Sequence, residues 1–138
     1  MDFQALYTNL GYLFYSVAAA DGRVRPVERD ALMAMVKERW LPLEGSRDEM
    51  GTDQAHYIDI AFDHANENHM SGDEAFGRFA VHMEKHALEL GPRMRGMIHS
   101  TAASIAGAFA ANNKAELTRL AQLQELFHRY PDHVVTQN

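Results

Sequence analysis

The sequence predicts an all-α fold, a compact single-domain bundle of about six helices. Three observations carry that expectation. Apolar residues recur at helical spacing along almost the whole chain, and no segment alternates cleanly enough for a strand. Turn and capping signals punctuate the periodic segments, at Asp21-Gly22, Pro42, Ser71-Gly72-Asp73-Glu74, Gly91-Pro92, Asn112-Asn113 and Pro131. With 138 residues, the chain has the length of one domain with an ordinary core.

The first helix is expected from a cap at Asp2 to Ala20, with Phe3, Leu6, Tyr7, Leu10, Phe14 and Val17 on one inward stripe. Pro26 opens the second, at a position where a missing N–H costs nothing. Leu32, Met35, Val36 and Trp40 turn inward there, and the helix stops before Pro42. Residues 41–53 read as a turn-rich loop with four acids. A third helix over about 54–67 presents Ile58, Ala61, Phe62 and Ala65. Ser71 and Glu74 form a capping box for the fourth, which carries Phe76, Phe79, Met83, Ala87 and Leu90 to Gly91-Pro92. The fifth spans about 92–110 through Met94, Ile98, Ala102, Ile105 and Phe109. Asn112-Asn113 makes a corner, since asparagine tolerates left-handed φ. The sixth, about 114–130, is expected to bury Leu117, Leu120, Ala121, Leu123 and Phe127.

Composition narrows function by exclusion. The chain contains no cysteine, which removes disulfides, zinc–thiolate sites and a thiol nucleophile, and favours a reducing compartment. A net charge of −6 argues against a nucleic-acid binder that works by phosphate neutralisation. No apolar run is long enough to span a membrane and the first residues lack a basic stretch, so a cytoplasmic protein without membrane insertion is expected. The charge is uneven: residues 1–70 hold 6 Lys/Arg against 12 Asp/Glu, and residues 71–138 hold 7 against 7. An acidic first half attracts cations or a protein partner with a basic surface.

Ala20-Asp21-Gly22-Arg23-Val24-Arg25-Pro26-Val27-Glu28 matches the second half of a calcium-loop pattern. Gly22 permits a sharp bend, Val24 pins the loop to the core, and Glu28 meets the positive end of a helix dipole. The first two ligand positions are Val17 and Ala19, which offer no side-chain oxygen, so the segment is not an EF-hand. Read plainly, Asp21-Gly22 is a helix-terminating turn and Glu28 supports a helix start.

The same residues carry a resemblance. LGYLFYSVAAADGRVRPVERDALMAMV resembles the first helical unit of the tellurite-resistance TerB-like domains, and MRGMIHSTAASIAGAFAANNKAELTRLAQLQELF is similar to their second. The resemblance implies two pseudo-repeated units, over about 1–40 and 92–130, joined by connecting helices over about 54–91. It further implies a bacterial cytoplasmic or membrane-peripheral setting, a stress-associated adaptor role without catalysis, and a metal site made by acids near the Asp-Gly turns. On this sequence those acids are Asp21, Glu28 and Glu116, and the ion would be a divalent metal such as Ca, Mg or Zn. Two departures weaken such a site. Asn112-Asn113 stands where the second Asp-Gly belongs, and Arg25 places a cation beside Glu28.

Other clusters offer alternatives. His56, Asp59, Asp63 and Glu67 form one polar row on the third helix, a solvated face or a landing place for a cation or a basic partner. His82 and His86 lie one helical turn apart with Glu89 continuing their row, a spacing that chelates zinc, nickel or copper. His64 and His69 are candidates to approach them. The methionines fall mostly on core stripes. A di-metal carboxylate enzyme needs paired Glu-x-x-His motifs, and only Glu125-x-x-His128 is present. The sequence therefore points first to an adaptor or weak divalent-metal module with an acidic surface. It points second to a transition-metal bundle with sensor or enzymatic activity, and third to a homodimerisation module.

Overall fold

The computed structural model describes residues 2–20, 22, 24–40, 56–108 and 114–133. Within them the chain is helical: α1 (Phe3–Ala18), α2 (Pro26–Trp40), α3 (His56–Glu67), α4 (Gly72–His86), a 3₁₀ turn (Ala87–Glu89), α5 (Pro92–Ala108) and α6 (Lys114–Arg129). No strand occurs among the described residues. The all-α expectation is met. The expected loop over 41–53 and the Asn112-Asn113 corner lie outside the described residues.

Helix α1 is the axis of the bundle. It packs against α3, α4, α5 and α6, and every residue from Leu10 to Val17 is buried, as are Leu6 and Tyr7. The single inward stripe expected for it is thus a correction: the helix is covered on all sides. Between Asp2 and Asp21 the chain carries no charged residue, and a helix without a polar face is stable only in the interior. Gly11 sits at the closest approach of α1 to α3, where an added Cβ would lie 2.5 Å from the Ile58 carbonyl oxygen and 2.7 Å from Ala61 Cβ.

The helix ends follow local chemistry. Asp2 Oδ1 accepts from the Ala5 N–H at 3.0 Å, and Ser71 Oγ accepts from the Glu74 N–H at 3.0 Å, so each satisfies an otherwise orphan donor. Helix α4 ends at His86 rather than running to Leu90, and the chain tightens into the 3₁₀ turn. Buried Arg95 holds that turn. Its guanidinium donates to the Leu90 and Ala87 carbonyls at 2.6 and 2.8 Å, and to Phe127 and Tyr130 at 3.1 and 2.7 Å. A cation placed among helix-end carbonyls meets their partial negative charge, which offsets much of its desolvation.

Helix α2 is anchored at its end by Trp40, fully buried, whose Nε1–H donates to Thr101 Oγ1 at 3.2 Å while its ring meets Tyr7 and Phe14. Helix α6 is rotated from the expected register. Glu116, Arg119, Leu123 and Leu126 face in, whereas Leu117 is 47% exposed and Ala121 is exposed. Leucines at 117, 120, 123 and 126 advance by three residues, so each lags the helical period and the row drifts around the helix. They cannot all point one way, and the core takes the last two.

Candidate functional site: a histidine–carboxylate pocket

The predicted acidic row on α3 serves the fold. Asp59 and Asp63 both accept from Arg29 of α2, with Arg29 Nε to Asp63 Oδ1 at 2.7 Å, and Lys37 Nζ lies 2.8 Å from Asp59 Oδ2. These partly buried ion pairs tie α2 to α3 and hold the Arg29 guanidinium more firmly protonated than usual, chiefly through the Asp63 hydrogen bond. Their charge is met within the molecule. Neither a solvated face nor an open cation site describes Asp59 and Asp63.

The acids assigned to the Asp-Gly turns stand on different helices where they are described. Asp21 lies outside the described residues. Glu28 stands in the first turn of α2 with Arg25 Nε 3.8 Å away, the neighbouring cation expected from the sequence. Glu116 stands in the first turn of α6, only 6% exposed. Gly22 adopts φ +134° and its N–H donates to the Ala19 carbonyl at 3.0 Å, which is turn geometry. Val24, 5% exposed, seats the connection in the core. Among the described residues no three His, Asp or Glu side chains converge as a ready-made metal set.

The structure does gather the other predicted group. His82, His86 and Glu89 line one pocket of about 200 Å³, together with Leu90 and with Asp2 from the start of α1. Helical spacing puts the two imidazoles one above the other, with ring centroids 4.6 Å apart and planes 31° from parallel. The 3₁₀ turn then places Glu89 over His86, because residues three apart eclipse in that geometry. His86 Nδ1 lies 2.6 Å from Glu89 Oε2. A carboxylate only accepts, so Nδ1 carries a proton, and the lone pair of the corresponding neutral tautomer is at Nε2. Burial lowers the pKa of His82 below its ordinary value, and His86 adds to this, while Glu89 and Asp2 oppose it. A neutral imidazole is the form that coordinates a metal.

Asp2 is the member that sequence reasoning missed as a site residue. It reads as a helix cap, and 80 residues separate it from His82, so no local spacing signals the encounter. His64 and His69 do not join the pocket. His64 sits edge-on to the Tyr12 ring, and His69 closes α3 with φ 52°. Glu125 pairs with Arg129 at 2.9 Å.

Fold and site together define a helical bundle with two imidazoles and two carboxylates about one pocket. Compared with known proteins, the chain matches no family model, no curated protein and no solved structure. No helix among the described residues is long and apolar enough to cross a membrane.

Proposed function

We propose that this protein is a TerB-like, stress-associated adaptor without catalysis, acting in the cytoplasm, and that the ligand it responds to is a divalent transition metal at His82 and His86. The adaptor role rests on the sequence resemblance. The observation that carries the metal reading is the pocket of His82, His86, Glu89 and Asp2, in which the imidazoles are adjacent and a carboxylate fixes the tautomer of one. Nitrogen donors on one helix face suit zinc, nickel or copper better than the hard cations that an all-oxygen site would take. Asp59 and Asp63 of α3 are engaged by Arg29 and Lys37. A cation or basic partner would therefore meet other carboxylates, Glu28 among them.

Thermal unfolding of chelator-stripped protein, with Ca²⁺, Mg²⁺, Mn²⁺, Zn²⁺ and Ni²⁺ added in turn, tests this reading. A ligand at about 100 times its Kd adds about 2.7 kcal/mol, a shift of several degrees for a domain of this length. Stabilisation by Zn²⁺ or Ni²⁺ that vanishes in His82→Ala is the expected result. Stabilisation by Ca²⁺ or Mg²⁺ that vanishes in Asp21→Asn or Glu28→Gln would move the site to the Asp-Gly turn. No response to any ion refutes the metal reading.

A further inference from the structure

A second cavity, between the end of α2 and the start of α5, gathers cations in a chain of net charge −6. Its volume is about 330 Å³, and Arg39, Arg93, Gly96, Met97, Ser100 and Thr101 line it: two guanidiniums, two hydroxyls and no carboxylate. Helical spacing builds the α5 wall, because Gly96, Met97 and Ser100 follow Arg93 by three, four and seven residues and share its face. Arg39, in the last turn of α2, reaches across and donates from Nη1 to Ser100 Oγ at 3.4 Å. Beside it, the buried Trp40–Thr101 hydrogen bond fixes this end of α2 against α5. Gly96 leaves room over the helix, since a Cβ there would meet nothing within 4 Å.

The fold does not employ all of these donors. Arg39 serves it in part, because a cation in the last turn of a helix meets the negative end of the dipole. Arg93 has the opposite placement: it stands in the first turn of α5, where the dipole is positive and no acid accompanies it. It makes no hydrogen bond or ion pair among the described residues, whereas Arg95, two positions on, serves four carbonyls. The Thr101 hydroxyl is committed to the Met97 carbonyl at 2.8 Å and to Trp40. Ser100 Oγ accepts from Arg39, and its own proton has no acceptor among the described residues. We infer that this cavity binds a phosphate group, free or carried by a small molecule, with Arg39 and Arg93 holding its oxygens and the Ser100 hydroxyl donating a further hydrogen bond. Planar guanidinium forks match phosphate oxygens, and two of them balance a dianion where a carboxylate needs only one. A nucleic-acid backbone would need a row of cations rather than a pair around one small cavity. The volume lies at the lower end of ligand pockets, and Met97 gives the rest of a small ligand an apolar wall. This site is independent of the metal reading at His82 and His86.

The test is an NMR titration of the full chain with inorganic phosphate, glycerol phosphate and acetate, each at constant ionic strength because both arginines are exposed. Inorganic phosphate should shift the side-chain N–H signals of Arg39 and Arg93 and the amides of Gly96 and Ser100 along one saturating curve. Arg39→Gln and Arg93→Gln should each weaken binding by about tenfold, the step for losing one charge-assisted hydrogen bond, and Ser100→Ala by about threefold. The melting temperature of Arg93→Gln should not fall, since no contact of the fold is removed. Gly96→Leu keeps both cations and fills the cavity, and leucine is the better helix former, so this variant should fold and lose binding. Tighter binding of glycerol phosphate, with Met97 shifting, assigns a carried phosphate, and equal or weaker binding assigns the free ion; both uphold the site. Acetate binding as tightly as phosphate overturns the phosphate assignment. Unsaturable shifts in the parent protein, or unchanged affinity in Arg93→Gln or Gly96→Leu, overturn the site itself.

Discussion

Replacing Gly11 by alanine sets two effects of opposite sign against each other, and the structure decides between them. In an open helix, alanine is favoured over glycine by about 1 kcal/mol, because glycine loses more backbone freedom on folding. At Gly11 the new methyl would lie 2.5 Å from the Ile58 carbonyl oxygen, 2.7 Å from Ala61 Cβ and 3.1 Å from the Phe62 nitrogen. Two of the three are backbone atoms of α3 and cannot swing aside. To reach ordinary contact near 3.4 Å, α1 and α3 must part along the interface that buries Ile58 and Phe62. Overpacking of a close-packed core costs about 1–3 kcal/mol, and more where backbone must move. The net expectation is a destabilisation of about 1–2 kcal/mol after the helix gain is subtracted. Gly77 in α4 is the matched control, since a Cβ there meets nothing within 4 Å. Gly77→Ala should stabilise by up to about 1 kcal/mol. Urea unfolding of both variants reads the difference from midpoints at constant slope. If Gly11→Ala proved as stable as Gly77→Ala, the close approach of α1 and α3 would be disproved.

Three further outcomes are expected. Arg95→Leu removes the donor to four carbonyls and should cost at least about 3 kcal/mol in chemical denaturation, whereas a loss below about 1 kcal/mol would show those carbonyls content without it. Arg29→Gln should cost about 1 kcal/mol, with the gap to the parent narrowing as NaCl is raised, because the pairs with Asp59 and Asp63 are only partly shielded from water. In metal-free protein, His82 binds its proton more weakly folded than unfolded, so stability is complete above its ordinary value of 6.5 and falls as pH drops through 6.5 toward the lowered value. His82→Gln should flatten that part of the profile in melting scans between about pH 7.5 and about pH 5, a window that brackets the ordinary histidine value.

Much of the fold was legible because helix boundaries are written in local chemistry. Asp2, Pro26, Ser71 and Pro92 each act on neighbours within a turn, and each stands where the structure begins a helix. The central place of α1 was signalled by its lack of charge, a stronger cue than the stripe drawn through it. The face of α6 was not legible, because a three-residue leucine spacing leaves two inward choices, and tertiary packing selects the one that also admits Glu116 and Arg119. The α3 acids show the same limit: their row was visible, but their partners, Arg29 and Lys37, sit on another helix. The candidate site divides along this line. His82, His86 and Glu89 share a local period and were found by it, while Asp2 arrives only through the packing of α1.

The Arg95 guanidinium takes two acceptors from residues five and eight positions before it and two from residues 32 and 35 positions after it. Chains are made from the N-terminus, so the first two carbonyls are at hand as soon as α5 coils, and the other two exist only once α6 has emerged. Until then the cation keeps water for half of its bonds. Docking of the final turn strips that water away and exchanges it for the Phe127 and Tyr130 carbonyls. A nascent or truncated chain that ends short of residue 127 is therefore left with a hydrated charge in the seam where the core should close, and its unfinished state is exposed to proteases and chaperones.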